Sequence, residues 1–229
     1  MIELKGIRKS FGKKLILDGL DLSVKRGQCI GLVGVNGSGK STLLAIMAGA
    51  LKADGGTIGY NGHEMTGRED LSRWAAFVPQ DNPLIDELSV RDNLKLWYAG
   101  TEIRLKDALD EGLPKELGLQ DVLDQRVRNL SGGMKKRVSI ACALANDAPI
   151  LLMDEPAASL DLVMKQDIRR HLDRYLERGG TVVISSHEED ELKMCDELYH
   201  LTEHHLQRLP KGIAGEALMD FLTKEKERI

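Results

Sequence analysis

The 229-residue sequence predicts an α/β fold: a core with a mainly parallel sheet, an N-terminal antiparallel β subdomain and an inserted helical subdomain. Three observations predict it. Residues 2–24 alternate apolar and polar positions, with Ile2 and Leu4 against Glu3 and Lys5, then Leu20, Leu22 and Val24 against Asp21 and Ser23. A period of two marks strands with one wet face, as antiparallel sheets have. Cys29-Ile30-Gly31-Leu32-Val33, Ile150-Leu151-Leu152-Met153 and Thr181-Val182-Val183-Ile184 are instead short continuous apolar runs. Strands read this way when both faces are covered, and helical patterns between them make the sheet parallel. Between Gln80 and Leu130 the strand signals stop.

Each remaining element follows from local pattern. Met164, Ile168, Leu172 and Tyr175 recur at helical spacing, and Gly179-Gly180 ends that helix. Ser89 can cap a helix with Val90, Leu94 and Trp97 on one face, and a second helical stretch lies around Lys115 to Leu123. The expected organisation is one domain over 1–229. Residues 1–81 and 131–214 make the β subdomain and α/β core, 82–130 the helical subdomain, and 215–229 a C-terminal helix.

Composition excludes several classes. The chain is 42% hydrophobic and 30% charged with net charge −4, which argues against a protein that coats nucleic acid. No apolar run approaches the ~18 residues of a membrane span, and Met1-Ile2-Glu3-Leu4-Lys5 does not begin a signal peptide. Cys29, Cys142 and Cys195 are odd in number, far apart and without C-x-x-C spacing, so they read as reduced thiols, not a disulfide framework or zinc site. The expectation is a soluble intracellular chain whose membrane role, if any, comes through a partner.

Three motifs carry chemistry. Gly34-Val35-Asn36-Gly37-Ser38-Gly39-Lys40-Ser41 satisfies G-x-x-x-x-G-K-[ST], follows an apolar strand and opens a helix over Ser41 to Ala48. The glycines let backbone N–H groups turn inward around phosphates, and the helix start adds a positive dipole end. This is the loop of a P-loop NTPase core. Lys40 is placed for the β- and γ-phosphates, Ser41 for Mg²⁺ and Thr42 for the α-phosphate. A dinucleotide fingerprint fails, because Thr42 stands where its third glycine is required. Asp154 and Glu155 end a buried strand, where open α/β sheets place ligands. Asp154 there can hold Mg²⁺, while Glu155, pointing to the other face of the strand, can orient and polarise the attacking water. Finally, Ser131 can cap a helix beginning near Gly133, and Gly132 and Gly133 expose backbone N–H groups there. One nucleotide does not need two such anion sites.

Taken together, these motifs resemble the nucleotide-binding subunit of ATP-binding cassette (ABC) transporters over essentially the whole chain. The series runs through the phosphate loop, Gln80 after Phe77-Val78-Pro79, Leu130-Ser131-Gly132-Gly133-Met134, Asp154-Glu155, Ser159-Leu160-Asp161 and Ser186-His187. The resemblance implies the ABC ATPase fold, ATP and Mg²⁺ as cofactors, and roles for named residues. Phe11 would stack on adenine. Gly34, Asn36, Gly37, Ser38, Gly39, Lys40, Ser41 and Thr42 would hold the phosphates. Gln80 would sense Mg²⁺ and the water, with Ser41 and Asp154 as the other metal contacts. Glu155 would be the general base, and His187 would contact the γ-phosphate. Asp161 would work across a dimer interface, while Ser131, Gly132 and Gly133 would close on nucleotide bound by a second subunit, identical or different. The other implied partner is an integral membrane permease, which would hold the chain peripherally on the cytoplasmic face of the cell membrane. A groove after Gln80, with Leu84, Ile85 and Leu88, would receive the permease; no nucleic acid is expected.

Met134 stands where glutamine is common, and Ser-Gly-Gly-Met-Lys-Lys-Arg is similar to the branch exporting drugs, ions and polysaccharides through a separate permease. Cys142 replaces a frequent arginine, and Ala157 and Ala158 replace hydroxyl residues. Importer ATPases and soluble cassettes of translation or DNA repair are the alternatives; the latter generally carry two cassettes, a long coiled coil or a zinc insertion. A slow, ATP-gated interaction module is disfavoured by the intact Gln80, Glu155 and His187. Phe11 also reads as a strand-end hydrophobe and His187 as a helix-start residue. Lys135-Lys136-Arg137 reads as a solvated helix face, and His204 and His205 as solvent-facing.

Overall fold

The computed structural model describes residues 1–221 except 66, 159, 214, 216 and 219. Ser159, and most of the helix expected over 215–229, therefore lie outside the described residues. In chain order the elements are β1 (Ile2–Phe11), β2 (Lys14–Val24), β3 (Cys29–Val33), α1 (Lys40–Met47), β4 (Gly55–Tyr60), β5 (His63–Met65), α2 (Arg68–Trp74) and β6 (Ala75–Val78). Then come α3 (Val90–Tyr98), α4 (Leu105–Glu111), α5 (Leu113–Glu116), two 3-10 turns (Gln120–Val122 and Val127–Asn129) and α6 (Gly132–Ala143). The chain continues through β7 (Ile150–Asp154), α7 (Leu162–Glu177), β8 (Thr181–Ser185), α8 (Glu189–Leu192), β9 (Glu197–Thr202) and β10 (His205–Arg208).

Two sheets form. One is antiparallel with order β2-β1-β4-β5, and it contains the alternating N-terminal strands. The other has order β10-β9-β3-β8-β7-β6 and is parallel throughout except for the β9–β10 hairpin. Every residue of β3, β7 and β8 is buried, as the continuous apolar runs require. Alternation sends their side chains to two different cores. Ile150, Leu152 and Val183 meet α1 and the antiparallel sheet, with Leu4, Leu43 and Met47. Leu151, Met153, Val182 and Ile184 meet the helical side, with Leu94, Val138, Leu172 and Ile168. Burying each such side chain contributes about 1.5–3 kcal/mol.

Between β6 and α6 the described residues hold helices, turns and one isolated bridge, Ser89 to Arg126. Ser89 caps α3 by accepting from the Asp92 N–H at 3.0 Å. The face of α3 differs from the expected one: Val90 and Leu94 are buried, but Trp97 is exposed and Tyr98 takes the inward place. The expected stretch from Lys115 to Leu123 is α5 plus a 3-10 turn, because Gly118 at φ +69° breaks it. In α7, Ile168 and Leu172 are the buried positions, and Gly179 at φ +83° follows its end.

The parallel register does the functional work. Four neighbouring strands, β6, β7, β8 and β3, end on the same edge, with Asp154 beside Ser185. Their carboxyl ends deliver Gln80, Asp154-Glu155, Ser186-His187 and the phosphate loop to one place.

Candidate functional site

The loop after β3 is shaped by glycines at positive φ: Gly34 (+151°), Gly37 (+83°) and Gly39 (+112°). At Gly34 a Cβ would lie 2.5 Å from the Leu201 carbonyl oxygen on β9, so no side chain fits. Gly39 caps α1 without any side-chain hydrogen bond, leaving the first N–H groups of the helix for an anion. Lys40 is buried and its Nζ donates to the carbonyls of Gly34 (2.7 Å) and Val35 (3.3 Å). Burial lowers its pKa, opposed by the negative charges of Glu155 and Asp154. Ser38 Oγ is buried without a hydrogen-bond partner, as fits a phosphate oxygen. Asn36, Gly37, Gly39, Lys40, Ser41 and Thr42 line a cavity of about 340 Å³ together with Ile16, Gln80 and Glu155.

Asp154 ends β7, buried, and its Oδ1 accepts from Ser185 Oγ. For Glu155 the sequence expectation needs correction. It does not continue the strand to the opposite face: its φ is +45°, and its side chain lines the same cavity as the phosphate loop. The turn is held by the Glu155 N–H, which donates to Ser185 O (3.0 Å) and Oγ (3.1 Å). Its Oε2 accepts from Gln80 Nε2 at 3.3 Å, and its Oε1 lies 3.4 Å from His187 Nε2. Gln80, Glu155 and His187 are thus brought together around one carboxylate.

Behind His187, Ser186 Oγ donates to the buried Glu191 Oε2 and accepts from the Glu188 N–H at 2.9 Å. Burial, assisted by Glu188, pushes the Glu191 carboxyl from 4.5 to about 7, against the Ser186 bond, Lys165 and Lys136. The folded state therefore holds an extra proton between these values, and stability falls as pH rises from 4.5 through 7. Glu191→Gln is expected to remove that slope. Thermal melts from about pH 5 to about pH 8 check it; parallel Tm curves for variant and wild type would count against it.

Phe11 lies at the end of β1, 52% exposed, with Lys9 Nζ 5.4 Å from its ring centroid. It does not line the phosphate-loop cavity. Ser131 caps α6, accepting from the Met134 N–H at 3.3 Å, and the helix starts at Gly132. Ser131 and Gly132 are exposed, whereas Gly133 is buried against Met164 of α7. Asp161 caps α7, accepting from the Met164 N–H at 2.9 Å, so these two helix starts stand side by side. Neither Ser131, Gly132, Gly133 nor Asp161 lines the cavity of the phosphate loop.

The basic run after Met134 is not a solvated face. Lys135 pairs with Asp86 at 2.9 Å, and Arg137 pairs with Asp167 and donates to the Leu117 carbonyl. Lys136 is buried, with Nζ donating to the carbonyls of Pro79 (3.2 Å) and Gln80 (3.3 Å). The helical spacing Gly133, Lys136, Ile140 marks it as a core-facing position, a signal hidden by its charge. Asn93 was also missed. It is buried and fully paired: its amide nitrogen donates to Ile85 O and Ser89 O, and its oxygen accepts from the Ile85 N–H. It fixes the segment after Gln80, where Ile85 is exposed and Leu84 packs inward. Cys29 and Cys195, distant in sequence, have sulfurs 3.4 Å apart, and all three cysteines are free. His204 and His205 are exposed, as expected, with His204 Nδ1 3.2 Å from Ile16 O.

Residues 17–158 match the family model described as ABC transporter. The chain belongs to the ABC transporter family. It is an ATP-binding, ATP-hydrolysing cassette of that family. It is 38% identical over 215 residues to the Nod factor export ATP-binding protein I of Rhizobium sp. (strain N33), spanning 92% of this chain and 70% of that protein. It is 39% identical over 200 residues to the protein of the same name from Bradyrhizobium sp. (strain SNU001), spanning 86% of this chain and 66% of that one. The chain thus spans about two thirds of the length of these relatives. Among solved structures it is similar to a dimeric post-hydrolysis state of an ATP-binding cassette bound to ADP and Pi, with TM-score 0.82, 27% identity, and coverage of 94% of this chain and 100% of that one. A dimeric bacterial ABC transporter cassette gives TM-score 0.81, 29% identity and the same coverage. Among the described residues no helix is long and apolar enough to cross a membrane.

Proposed function

We propose that this cassette powers export through a separate membrane permease, and that it works as a head-to-tail dimer with a second cassette, each nucleotide lying between one subunit's phosphate loop and the other's Ser131–Gly133 helix start. The observation that carries the dimer is the separation of the two anion-binding elements: the signature residues are outside the cavity that Lys40, Ser41, Thr42, Gln80 and Glu155 line. Export is supported by Met134 and its basic neighbours, and by relatives named as export ATP-binding proteins.

In this reading the chain is one cassette, and its helical segment, 82–130, carries the loop after Gln80. Phe11, on the exposed end of β1, offers its ring to the adenine. Lys40 exchanges its bonds to Gly34 and Val35 for phosphate oxygens, and Ser38 finds the acceptor or donor it lacks. Ser41, Asp154 and Gln80 would hold Mg²⁺; when bound with ATP the ion neutralises charge on the β- and γ-phosphates. Glu155 accepts a proton from the attacking water, Gln80 and His187 hold that carboxylate in place, and Asp161 meets the opposite subunit. Positioning and charge neutralisation carry the rate, since phosphoryl transfer needs little covalent help. The permease would seat on the segment with Leu84, Ile85 and Leu88, which places the cassette on the cytoplasmic face of the membrane.

The test is purification of the tagged cassette from detergent-solubilised membranes of its own host. The expected result is a co-purifying polytopic membrane protein that raises ATP turnover when both are reconstituted. Recovery with ribosomes, and without a membrane protein, would overturn the transport reading.

A further inference from the structure

We infer that Lys136 is a positioning residue for hydrolysis: it clamps the backbone of Gln80 and so ties the start of α6 to the water-activating carboxylate of the same chain. The inference rests on the site roles proposed above. Lys136 is 4% exposed, one turn past Gly133. A lysine on a helix can usually carry its ammonium to water along a flexible stem. This one points inward instead. β6 stops pairing at Val78, opposite Met153, so the carbonyls of Pro79 and Gln80 have left the ladder with β7. Off the ladder these carbonyls take another donor, and the buried Lys136 ammonium supplies it to both, at 3.2 and 3.3 Å. Burial lowers its pKa, while Asp154, Glu191 and Asp81 hold the charge on it.

From this clamp the contacts run in two directions. Gln80 Nε2 donates to Glu155 Oε2 at 3.3 Å, and Glu155 Oε1 lies 3.4 Å from His187. On the other side, one turn of α6 separates Lys136 from Ser131, Gly132 and Gly133. A helical turn is stiff, so an anion that draws the start of α6 also draws Lys136, and with it the Gln80 backbone. The element a chain lends to its partner's nucleotide is thereby linked to the group that readies its own water. Nothing in the cavity lining includes Lys136, so the effect falls on turnover and not on ATP affinity.

Steady-state kinetics of Lys136→Met test this. The expected result is kcat reduced about 10- to 100-fold with KM for ATP within about threefold, because small misplacement of a positioned group costs rate. Lys136→Arg is expected to recover most of the loss, since a guanidinium can donate to both carbonyls. The discriminating measurement is a double-mutant cycle with Gln80→Ala: if Lys136 acts through Gln80, Lys136→Met costs less than about twofold more on that background. Additive losses, or wild-type kcat in a folded Lys136→Met protein, overturn the inference. Should thermal melts show that the methionine variant does not fold, Lys136→Gln, which keeps one donor, replaces it in the cycle. If Gln80→Ala and Glu155→Gln turn over at the wild-type rate, the proposed site roles fail; if both are impaired and Lys136→Met is not, this inference fails alone.

Discussion

Replacing Glu155 by glutamine is expected to reduce ATP turnover about 10²- to 10⁴-fold, the range general bases supply, while ATP stays bound. The substitution keeps the shape of the side chain. Its amide oxygen can still accept from Gln80 Nε2, and its amide nitrogen can face His187, so the turn at φ +45° is undisturbed. What is lost is basicity and one negative charge. That charge lies close enough to Lys40 to be the largest electrostatic influence on it after burial. Removing it lowers repulsion toward a nucleotide's phosphates, so ATP affinity is held or raised. With binding intact and hydrolysis blocked, the ATP-bound assembly accumulates. Phosphate release and size-exclusion chromatography with Mg-ATP check the two halves: a slow enzyme eluting at twice the monomer mass. Wild-type phosphate release would remove Glu155 as the base.

The residues that were legible in the sequence are those whose chemistry dictates their identity. A phosphate needs inward N–H groups, so Gly34, Gly37 and Gly39 at positive φ could be read from spacing alone. The covered strands β3, β7 and β8 were equally legible, since a four- or five-residue apolar run is too short for a helix and needs cover on both faces. What escaped depended on tertiary placement. Alternation along a strand sent Glu155 to the wrong face, because one left-handed residue overrides it and spacing cannot show φ. Charge made Lys136 look solvated, although its carbonyl partners come from a segment more than fifty residues earlier. Asn93 and Tyr98 were missed for a similar reason: a helix pattern fixes a period but not which neighbouring position meets the core. Cys29 and Cys195 illustrate the limit most simply, since β3 and the approach to β9 become adjacent only when the sheet assembles.

Two inactive variants are expected to restore activity when mixed. Lys40→Ala removes the buried ammonium from the phosphate loop, and Ser131→Glu places a carboxylate at the start of α6, where a γ-phosphate would dock. Each homodimer has two damaged sites and is expected to retain less than about 1% of turnover, since each change removes electrostatic stabilisation or adds repulsion at a developing charge. In a mixed dimer the damage is distributed differently. The Lys40→Ala loop meets the Ser131→Glu helix in one site, whereas the other pairs an intact loop with an intact helix start. An equal mixture that exchanges subunits at random is therefore expected to show about one quarter of wild-type turnover, half the dimers having one good site of two. Putting both changes in one chain and mixing it with wild type gives no rescue: each site of the mixed dimer then carries one lesion, so exchange lowers turnover from the half supplied by the wild-type chains alone to about one quarter, all of it from wild-type homodimers. This asymmetry follows from the geometry of a single chain, in which the cavity around Lys40 excludes Ser131. Were the two elements to serve one nucleotide within a chain, placement would reverse the outcome. The double-lesion chain would leave its wild-type partner fully active, and the separated lesions would leave every subunit dead.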